Sequence, residues 1–343
     1  MLNSLEDTKD NELPLVSMIS VFYNRGYCVE ESVKSMIDQT YSNLEIILVD
    51  DKSTDNTLQE LKKFEYDPRV KVITHPNMGF TRSIKKAIEE TANGEYIAVH
   101  GSGDISFKRR IEKQYLCLKN KQGFSVCGCL HNNLDITGKK VLDSHTFSFD
   151  VVKKIHFLNA TPFTHGTAMF KTIDYKCLGG YDDFFEICQD WDLWLRFIKN
   201  GYGICYINDL LYSRVEREGS ISNSSDVKNF RYGELIRKIH FEGEKGSKLK
   251  ASFIRKKNST LTKSEVNIYR HQKSLQAIRL YLSGLDKSYY ETIALLRSYG
   301  GGLYRFRFFI LILRMAVLIG VEKIYVLRIL RKLKNLKNFS KKN

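Results

Sequence analysis

The sequence predicts an α/β fold: a mostly parallel sheet flanked by helices, of the Rossmann-like kind. Two patterns lead to this class. Short apolar segments containing β-branched residues, typical of strands buried on both faces, recur through the first hundred residues. Amphipathic segments with apolar residues at helical spacing separate these strands. Strands and helices that alternate in this way form βαβ units, in which the strands run parallel.

The predicted elements follow one another along the chain. Strands are expected at Val16–Phe22, Leu44–Val49, Val70–Thr74 and Glu95–Val99, and helices at Glu30–Gln39, from Ser53–Thr57 through Phe64, at Phe80–Thr91 and at Gln189–Ile198. In the last helix Leu193, Trp194 and Phe197 form the apolar face. Residues 124–170 are expected to hold short strands and irregular segments, and the chain beyond about residue 225 to be mainly helical.

Polar loops follow three of the predicted strands. They are Tyr23-Asn24, Asp50-Asp51 and Gly101–Asp104. Ligands of parallel sheets bind beyond the carboxyl ends of the strands, so these loops are expected to form the binding site. One acidic pair alone would be weak support, because acidic residues often cap the following helix, but three polar loops at three strand ends indicate a site.

The basic charge of the chain is concentrated near its carboxyl end. The formal net charge is +15, and residues 301–343 contain eleven lysines and arginines against one acid, Glu322. The remainder is mildly basic, which disfavours a nucleic-acid groove in the main domain. Phe308–Val321 is apolar but is interrupted by Arg314 and is too short to span a bilayer. We expect an amphipathic helix on an anionic membrane surface; a packed helix with a solvated basic face is the alternative.

Four segments are predicted along the chain. A polar N-terminal segment at 1–13 precedes an α/β domain at 14–222, a helical region at 223–300 and the basic amphipathic tail at 301–343. The first segment lacks the apolar stretch of a signal peptide, and no uncharged apolar run reaches about 18 residues. The expected location is therefore cytoplasmic, with peripheral association at the inner face of the cell membrane.

The cysteines predict buried thiols. They are seven in number, Cys28, Cys117, Cys127, Cys129, Cys177, Cys188 and Cys205. An odd number without a CxxC pair favours neither a disulfide framework nor a zinc site. Cys127 and Cys129 would point to the same face of a strand, and a reducing compartment is expected.

Several short motifs, in order, resemble the family 2 glycosyltransferases, which have the GT-A fold. The resemblance covers roughly residues 14–222 and rests on Val16–Asn24, Ser35–Tyr41, Glu45–Thr57, Asn77–Gly79, Gly94–Ala98, Gly179–Asp182 and Gln189–Arg196. It implies a GT-A domain and a hexosyltransferase that moves a sugar from a nucleotide donor to an acceptor hydroxyl with inversion. Polysaccharide or cell-envelope synthesis is the expected setting, and a UDP-sugar the expected donor.

Tyr23 and Asp51 are expected to bind the base of the donor nucleotide, as the resemblance implies. A base such as uracil needs a flat ring for stacking and an acceptor for its ring N–H, which a tyrosine and a carboxylate provide. The structural alternative is a packed tyrosine and a turn aspartate.

Asp190 matches the aspartate that serves as general base in the family. Inverting transfer needs one group that takes the proton of the acceptor hydroxyl as this oxygen attacks C1 of the donor sugar, and a carboxylate can do so. Alternatively, Asp190 is only a helix-start residue. Gln189 and Asp192 are expected to contact the acceptor or to support the site, as is His165, for which a purely structural role is an equal alternative.

The stretch His100–Asp104 departs from the family. The family usually has Asp-x-Asp-Asp here, with carboxylates that hold the ribose and a divalent cation, whereas this chain has glycine at positions 101 and 103. Glycine offers a cation no side-chain ligand, so Mg²⁺ or Mn²⁺ could bind only weakly, through Asp104. Alternatively, the amides of Gly101 and Gly103 could cradle the diphosphate. Ser102 and Asp104 remain expected donor contacts.

Basic residues near this stretch are expected to neutralise the leaving diphosphate. Lys108, Arg109 or Arg110 could do so, and Arg110 is the predicted contact. Arg214 matches a family segment that closes over the diphosphate. Glu216 stands where the family often has a histidine, a second departure that weakens the metal site.

The predicted function is inverting sugar transfer to a glycan, such as a growing lipid-linked polysaccharide or a glycolipid precursor. The alternative is a noncatalytic nucleotide-sugar-binding protein with a degenerate metal site. A glycosidase is disfavoured, because such enzymes need two opposed carboxylates and the sequence offers no clear second one.

Overall fold

The computed structural model describes residues 13–135, 138, 140–143, 151–157, 161–215, 226–243, 245–256, 262, 265, 266, 268 and 269. The chain divides into two compact units, Met1–Lys257 and Asn258–Asn343. The sheet and the helices described below belong to the first unit. The basic tail predicted at 301–343 lies outside the described residues, and so does Glu216.

One sheet of ten strands forms the centre of the described part of the first unit. The strands are β1 (Val16–Phe22), β2 (Leu44–Asp50), β3 (Val70–Thr74), β4 (Tyr96–Gly101), β5 (Ile105–Ser106), β6 (Phe124–Leu134), β7 (Lys140–Asp143), β8 (Val151–Val152), β9 (Met169–Lys171) and β10 (Gly203–Val215). Their order is β3-β2-β1-β4-β9-β6-β10-β5, with β7 beside β6 and β8 beside β10.

The pairing is parallel across β3, β2, β1 and β4 and again between β6 and β10. The short strand β9 runs antiparallel between β4 and β6. Phe22 pairs with Asp50 and Val21 with Gly101. The carboxyl ends of β1, β2 and β4 therefore meet at one edge, which confirms the predicted α/β class.

Helices cover both faces of this sheet. They are α1 (Val29–Ile37), α2 (Thr57–Lys62), α3 (Phe80–Glu90), α4 (Arg110–Asn120), α5 (Thr172–Cys177), α6 (Gln189–Lys199), α7 (Asp226–Arg237) and α8 (Gly246–Lys256). Alternate residues of β1 point to opposite faces. Ile19 and Val21 join a core cluster with residues of α3 and α6, while Met18 and Phe22 join a second cluster with residues of α1 and α4. Leu193, Trp194 and Phe197 are fully buried, as predicted.

Strands β4, β6 and β10 differ from the sequence-based expectation. Strands β6 and β10 are long and pair along their length, where only short strands were expected for part of this region. Register shifts at Ile207, Leu210 and Tyr212 bend β10, and such irregularities hide a strand from simple alternation. Strand β4 continues to Gly101, because its pairing with β1 continues to Val21.

Helices α7 and α8 follow the predicted end of the α/β domain, yet they belong to the same compact unit. A short π-helical segment, Lys238–Glu242, links them. Tyr232 and Ile236 of α7 are buried in the same cluster as α6. None of the described helices combines the length and apolarity that crossing a bilayer requires.

Candidate active site

Tyr23 and Asp51 lie side by side at the carboxyl ends of β1 and β2. The N–H of Asp51 donates to the carbonyl of Phe22 at 2.9 Å, which holds the two strand ends together. Tyr23 keeps 49% of its surface exposed, so its ring is accessible for stacking. Tyr23 and Asp51 are therefore adjacent, as the sequence predicts for a base-binding site.

The carboxylate of Asp51 is buried and organises the loop before α3. It accepts the N–H of Met78 at 2.9 Å and the N–H of Gly79 at 3.0 Å. The side-chain amide of Asn77 donates to the carbonyl of Asp51 at 2.8 Å. Each carboxylate oxygen has a second lone pair, so Asp51 can anchor this loop and still accept a hydrogen bond from a ligand.

The carboxylate of Asp104 binds β10. Its Oδ2 accepts the hydroxyl of Tyr212 at 2.7 Å and its Oδ1 accepts the N–H of Val215 at 3.0 Å. The same tyrosine oxygen accepts the N–H of Gly101 at 2.9 Å. Asp104 is 9% exposed. Tyr212, which the sequence-based interpretation did not single out, therefore joins both ends of the Gly101–Asp104 loop.

The glycines of this loop suit its packing. A Cβ at Gly101 would lie 2.3 Å from Oδ2 of Asp104, so an aspartate there would collide with the remaining carboxylate. Gly103 has a φ of +85°, which costs a residue with a side chain. Its N–H donates to Oγ of Ser32 at 3.0 Å. The N–H groups of both glycines thus form hydrogen bonds within the protein, which does not favour the alternative of a diphosphate cradle.

These contacts test whether the loop can hold a divalent cation. Mg²⁺ and Mn²⁺ need several hard oxygen ligands. Asp104 supplies the one carboxylate of the Gly101–Asp104 loop, and both its oxygens already accept hydrogen bonds. Ser102 is partly buried between the two glycines. The residues present do not fit the multi-carboxylate cation site that the family usually has.

Arg110 differs from its predicted role as a donor contact. Its side chain is fully buried at the start of α4. Its nitrogen atoms donate to four neutral acceptors at 2.7–3.3 Å: Oε1 of Gln114, Oγ of Ser106 and the carbonyls of Val99 and Ala168. Arg110 therefore supports, from within the protein, the two strands on either side of the loop, β4 and β5. The neighbouring Arg109 forms an ion pair with Glu112 at 3.0 Å.

Arg214 lies beside the Gly101–Asp104 loop. It is two residues beyond Tyr212 on β10, so the two side chains project from the same face of the strand. Val215, the next residue, donates to Asp104. Arg214 is partly exposed. Its position near the strand ends is compatible with the predicted contact to a diphosphate.

Asp190 lies in the first turn of α6. Its Oδ1 accepts the N–H of Trp191 at 2.9 Å, and the preceding Cys188 adopts a left-handed conformation with φ of 60°. Burial raises the pKa of the Asp190 carboxyl to about 6, although its hydrogen bond to the backbone acts in the opposite direction. The group is therefore ionised at neutral pH but is more basic than an ordinary aspartate, as a general base requires.

Asp192 supports the site from within the protein, which is one of the two roles predicted for it. It is 4% exposed. Its Oδ1 accepts Nε2 of His240 at 2.8 Å and its Oδ2 accepts Nε of Arg196 at 2.8 Å. Burial acts to raise its pKa, but the hydrogen bond from His240 and the charge of Arg196 lower it overall. Asp192 thus fastens α6, which carries Asp190, to the segment after α7.

His165 lies in an aromatic environment behind Asp190. Its Nε2 is 2.6 Å from the hydroxyl of Tyr181, and its ring contacts Phe80 and Trp194 at centroid distances of 5.6 and 6.1 Å. Burial lowers the pKa of His165 to about 3, so the ring is neutral at physiological pH. Gln189 is buried, 8% exposed, at the start of α6.

The sequence-based interpretation missed three residues that organise the site: Tyr212, Ser32 and His240. Each is distant in sequence from its partner, with Tyr212 binding Asp104, Ser32 binding Gly103 and His240 binding Asp192. The residue types carry no local signal for these contacts. Of the three, only Tyr212 lies near a residue that the sequence singles out, because it stands two residues before Arg214, a predicted diphosphate contact.

Comparison with known proteins gives a consistent result. The profile of Glycosyl transferase family 2 matches residues 17–179. The protein named "Putative glycosyltransferase EpsE" of Bacillus subtilis is 34% identical over 210 residues, which cover 59% of this chain and 73% of EpsE. The UDP-Glc:alpha-D-GlcNAc-diphosphoundecaprenol beta-1,3-glucosyltransferase WfgD of Escherichia coli is 28% identical over 54% of this chain and 70% of WfgD.

A solved structure shares the architecture. The crystal structure of S. aureus TarS 1-349 in complex with UDP-GlcNAc superposes with a TM-score of 0.55 and 18% sequence identity. The match covers 77% of this chain and 80% of that one. At this identity the likeness concerns the fold.

Proposed function

The chain belongs to glycosyl transferase family 2, and from that premise we propose that it transfers a sugar from a UDP-sugar to a hydroxyl of a glycan or lipid-linked acceptor, with inversion. The observation that carries this proposal is Asp190, a carboxylate with a raised pKa on the same helix that carries its brace, Asp192. Tyr23 and Asp51 at the neighbouring strand ends supply a stacking ring and an acceptor for the base. WfgD, by its name, uses UDP-Glc, and TarS binds UDP-GlcNAc.

The proposed reaction uses this chain's residues in three roles. The acceptor oxygen attacks C1 of the donor sugar while Asp190 takes its proton. The bond between C1 and the diphosphate oxygen breaks, and its electron pair leaves with the nucleoside diphosphate. Arg214, with the exposed Lys108, offsets the charge that develops on the leaving group. These steps use only residues of this chain, because the Gly101–Asp104 loop does not fit the multi-carboxylate cation site of the family.

The first test of this proposal is an assay of purified protein against a panel of sugar nucleotides, each with the glycan acceptor and with or without a chelator. Release of nucleoside diphosphate from a UDP-sugar supports transfer. Binding of a donor without turnover, with every acceptor, would instead favour the noncatalytic alternative. The glycines at 101 and 103 motivate that alternative, whereas the raised pKa of the Asp190 carboxyl argues against it.

Activity is expected to depend weakly on divalent metal. With one hydrogen-bonded carboxylate, hard-cation affinity should be low, since it follows the number and charge of the ligands. Titration with Mn²⁺ after chelation measures this dependence. Gly103→Asp is not expected to restore a tight site, because φ at this position is +85°. Saturable activation by micromolar Mn²⁺ in the unmodified protein would contradict the interpretation of this loop.

The pH dependence of transfer is expected to report Asp190. Its pKa is raised to about 6 by burial, and only the ionised form accepts a proton. Activity should therefore be full above about pH 7 and fall about tenfold for each unit below pH 6. The measurement is kcat/KM between about pH 5 and 8 at constant ionic strength. A rate that stays constant through this range would exclude a base with this pKa as the group that limits the reaction.

We also propose that residues 301–343 attach the protein to anionic membranes. Each basic residue near such a surface contributes on the order of 1 kcal/mol, and salt weakens the effect. Removal of 301–343 should release the protein from vesicles containing an anionic phospholipid, while donor turnover in solution is retained. A shortened protein that sediments with the vesicles at moderate salt would place the membrane contact elsewhere.

A further inference from the structure

Three cysteines from three elements converge between α4 and the sheet, apart from the candidate active site. They are Cys117 of α4, Cys127 of β6 and Cys205 of β10, and their sulfur atoms all lie within 4.8 Å of one another. The sulfur atoms of Cys117 and Cys205 are 3.1 Å apart. Cys127 and Cys205 are register partners on neighbouring strands. The sheet therefore fixes two of the sulfur atoms, and the helix brings the third.

The surroundings of this cluster are apolar, with one side open. Cys127 and Cys205 are fully buried, in the core cluster that contains Tyr115 and Leu118 of α4. Cys117 is partly exposed, so a small ion can reach the sulfur atoms from solvent. The ligand set that the cluster offers is made of sulfur alone. Soft sulfur ligands select zinc and similar thiophilic cations over Mg²⁺.

The distances suit a metal bound by three sulfurs. Zinc–sulfur bonds are about 2.3 Å long, so tetrahedral ligand angles separate the sulfur atoms by about 3.8 Å. The three sulfur atoms already lie within 4.8 Å of one another, with those of Cys117 and Cys205 3.1 Å apart. The Cys117–Cys205 pair needs to open by less than about 1 Å, which the helix side chain can accommodate by a small rotation.

Two cationic side chains, Lys121 and Arg110, lie near the sulfur atoms. Lys121 interacts electrostatically with Cys117. The buried guanidinium of Arg110 interacts electrostatically with Cys127. Its hydrogen bonds go to neutral acceptors, so its charge can offset a nearby negative group. Three thiolates around a divalent cation carry a net charge of minus one, and the nearby positive charges of Lys121 and Arg110 stabilise that charge.

We propose that Cys117, Cys127 and Cys205 form a binding site for one thiophilic divalent cation of the Zn²⁺ class, with a water molecule as the fourth ligand on the open side. Loading exchanges three S–H protons for one Zn²⁺, so it releases three protons and needs no oxidant or reductant. The bound ion links α4 to β6 and β10. Since Arg110 at the start of α4 supports the strands on either side of the Gly101–Asp104 loop, the role of the ion is structural.

The test is metal binding by the full-length protein, reduced and freed of metal beforehand. Zn²⁺ is titrated against a chromophoric chelator, and native mass spectrometry counts the bound ions. One Zn²⁺ per chain is expected, with an affinity that rises with pH because protons are released. Cys117→Ser should weaken the affinity at least about tenfold, since a ligand is lost. Cys177→Ser, at an exposed cysteine of α5, is the matched control and should change nothing.

Other outcomes overturn the proposal. Zn²⁺ binding that survives Cys117→Ser unchanged, or that Cys177→Ser abolishes, places the ion elsewhere. Titration of the unmodified protein with Cd²⁺ needs no variant and so cannot fail through misfolding. Absence of sulfur-to-cadmium charge-transfer absorption at one equivalent refutes the site. A mass lower by two hydrogens after air exposure, located by peptide mapping to Cys117 and Cys205, with no metal adduct under reducing conditions, assigns these two cysteines to a disulfide instead.

Discussion

Asp190→Asn is expected to lower kcat by a factor of about 10²–10⁴, the usual contribution of a general base, with little change in donor affinity. The amide is nearly the same size as the carboxylate but cannot take the acceptor proton. The local structure should persist, because the side-chain oxygen of asparagine can still accept the N–H of Trp191, as Oδ1 does now. Steady-state rates measure kcat, and calorimetric titration with the donor measures affinity.

A matched control for this variant lies seven residues earlier. Asp183 is exposed and pairs with Lys85 at 3.3 Å, so Asp183→Asn removes the same charge outside the site and should leave kcat nearly unchanged. The pH profile adds a second readout, since the decline near pH 6 should disappear from any residual activity of Asp190→Asn. Near-normal turnover of this variant would show that another group takes the proton.

Arg110→Ala is expected to lower the free energy of unfolding by roughly 3–5 kcal/mol, because it leaves a cavity and several buried acceptors without donors. Those acceptors are the carbonyls of Val99 and Ala168 and the side chains of Gln114 and Ser106. Chemical denaturation measures the loss. Because Arg110 is fully buried, the KM for the donor should change little in the folded fraction.

Arg109→Ala is the control at the adjacent position. Arg109 is exposed and pairs with Glu112 on the surface, so its removal should leave the unfolding free energy nearly unchanged.

Arg214→Ala tests the opposite behaviour: a weaker interaction with the donor diphosphate and little loss of stability. If Arg110→Ala had normal stability but poor donor affinity, Arg110 would contact the donor diphosphate, as the sequence predicts.

The sequence predicted those elements that residues close together in the chain determine, and it predicted less well the elements whose pairing joins distant residues. Strands β1 and β3 have the predicted bounds, since short apolar segments between turn residues mark them locally. Strands β6 and β10 were not anticipated at their full length. Their pairing joins residues far apart in sequence, and polar residues such as Asn132 interrupt the apolar pattern. The alternation of apolar and polar residues cannot reveal a strand whose register shifts along its length.

The same limit applies to the candidate site. Tyr23, Asp51 and Asp190 stand where strand ends and a helix start place them, which local patterns reveal. Arg110 was assigned by its distance in sequence from the Gly101–Asp104 loop, whereas the direction of its side chain depends on the packing of α4. Nothing in the local sequence shows that a helix side chain turns inward to bind carbonyls of the sheet.

The contact between His240 and Asp192 has a consequence for the smallest active form of the protein. The helix that carries Asp190 is held by a histidine about fifty residues later in the chain, and Tyr232 and Ile236 complete its core. A fragment that ends at residue 222, where the sequence motifs stop, would expose this apolar surface and leave the buried Asp192 carboxylate without one of its two side-chain partners. The functional unit is thus longer than its recognisable motifs, and it extends at least through Glu242.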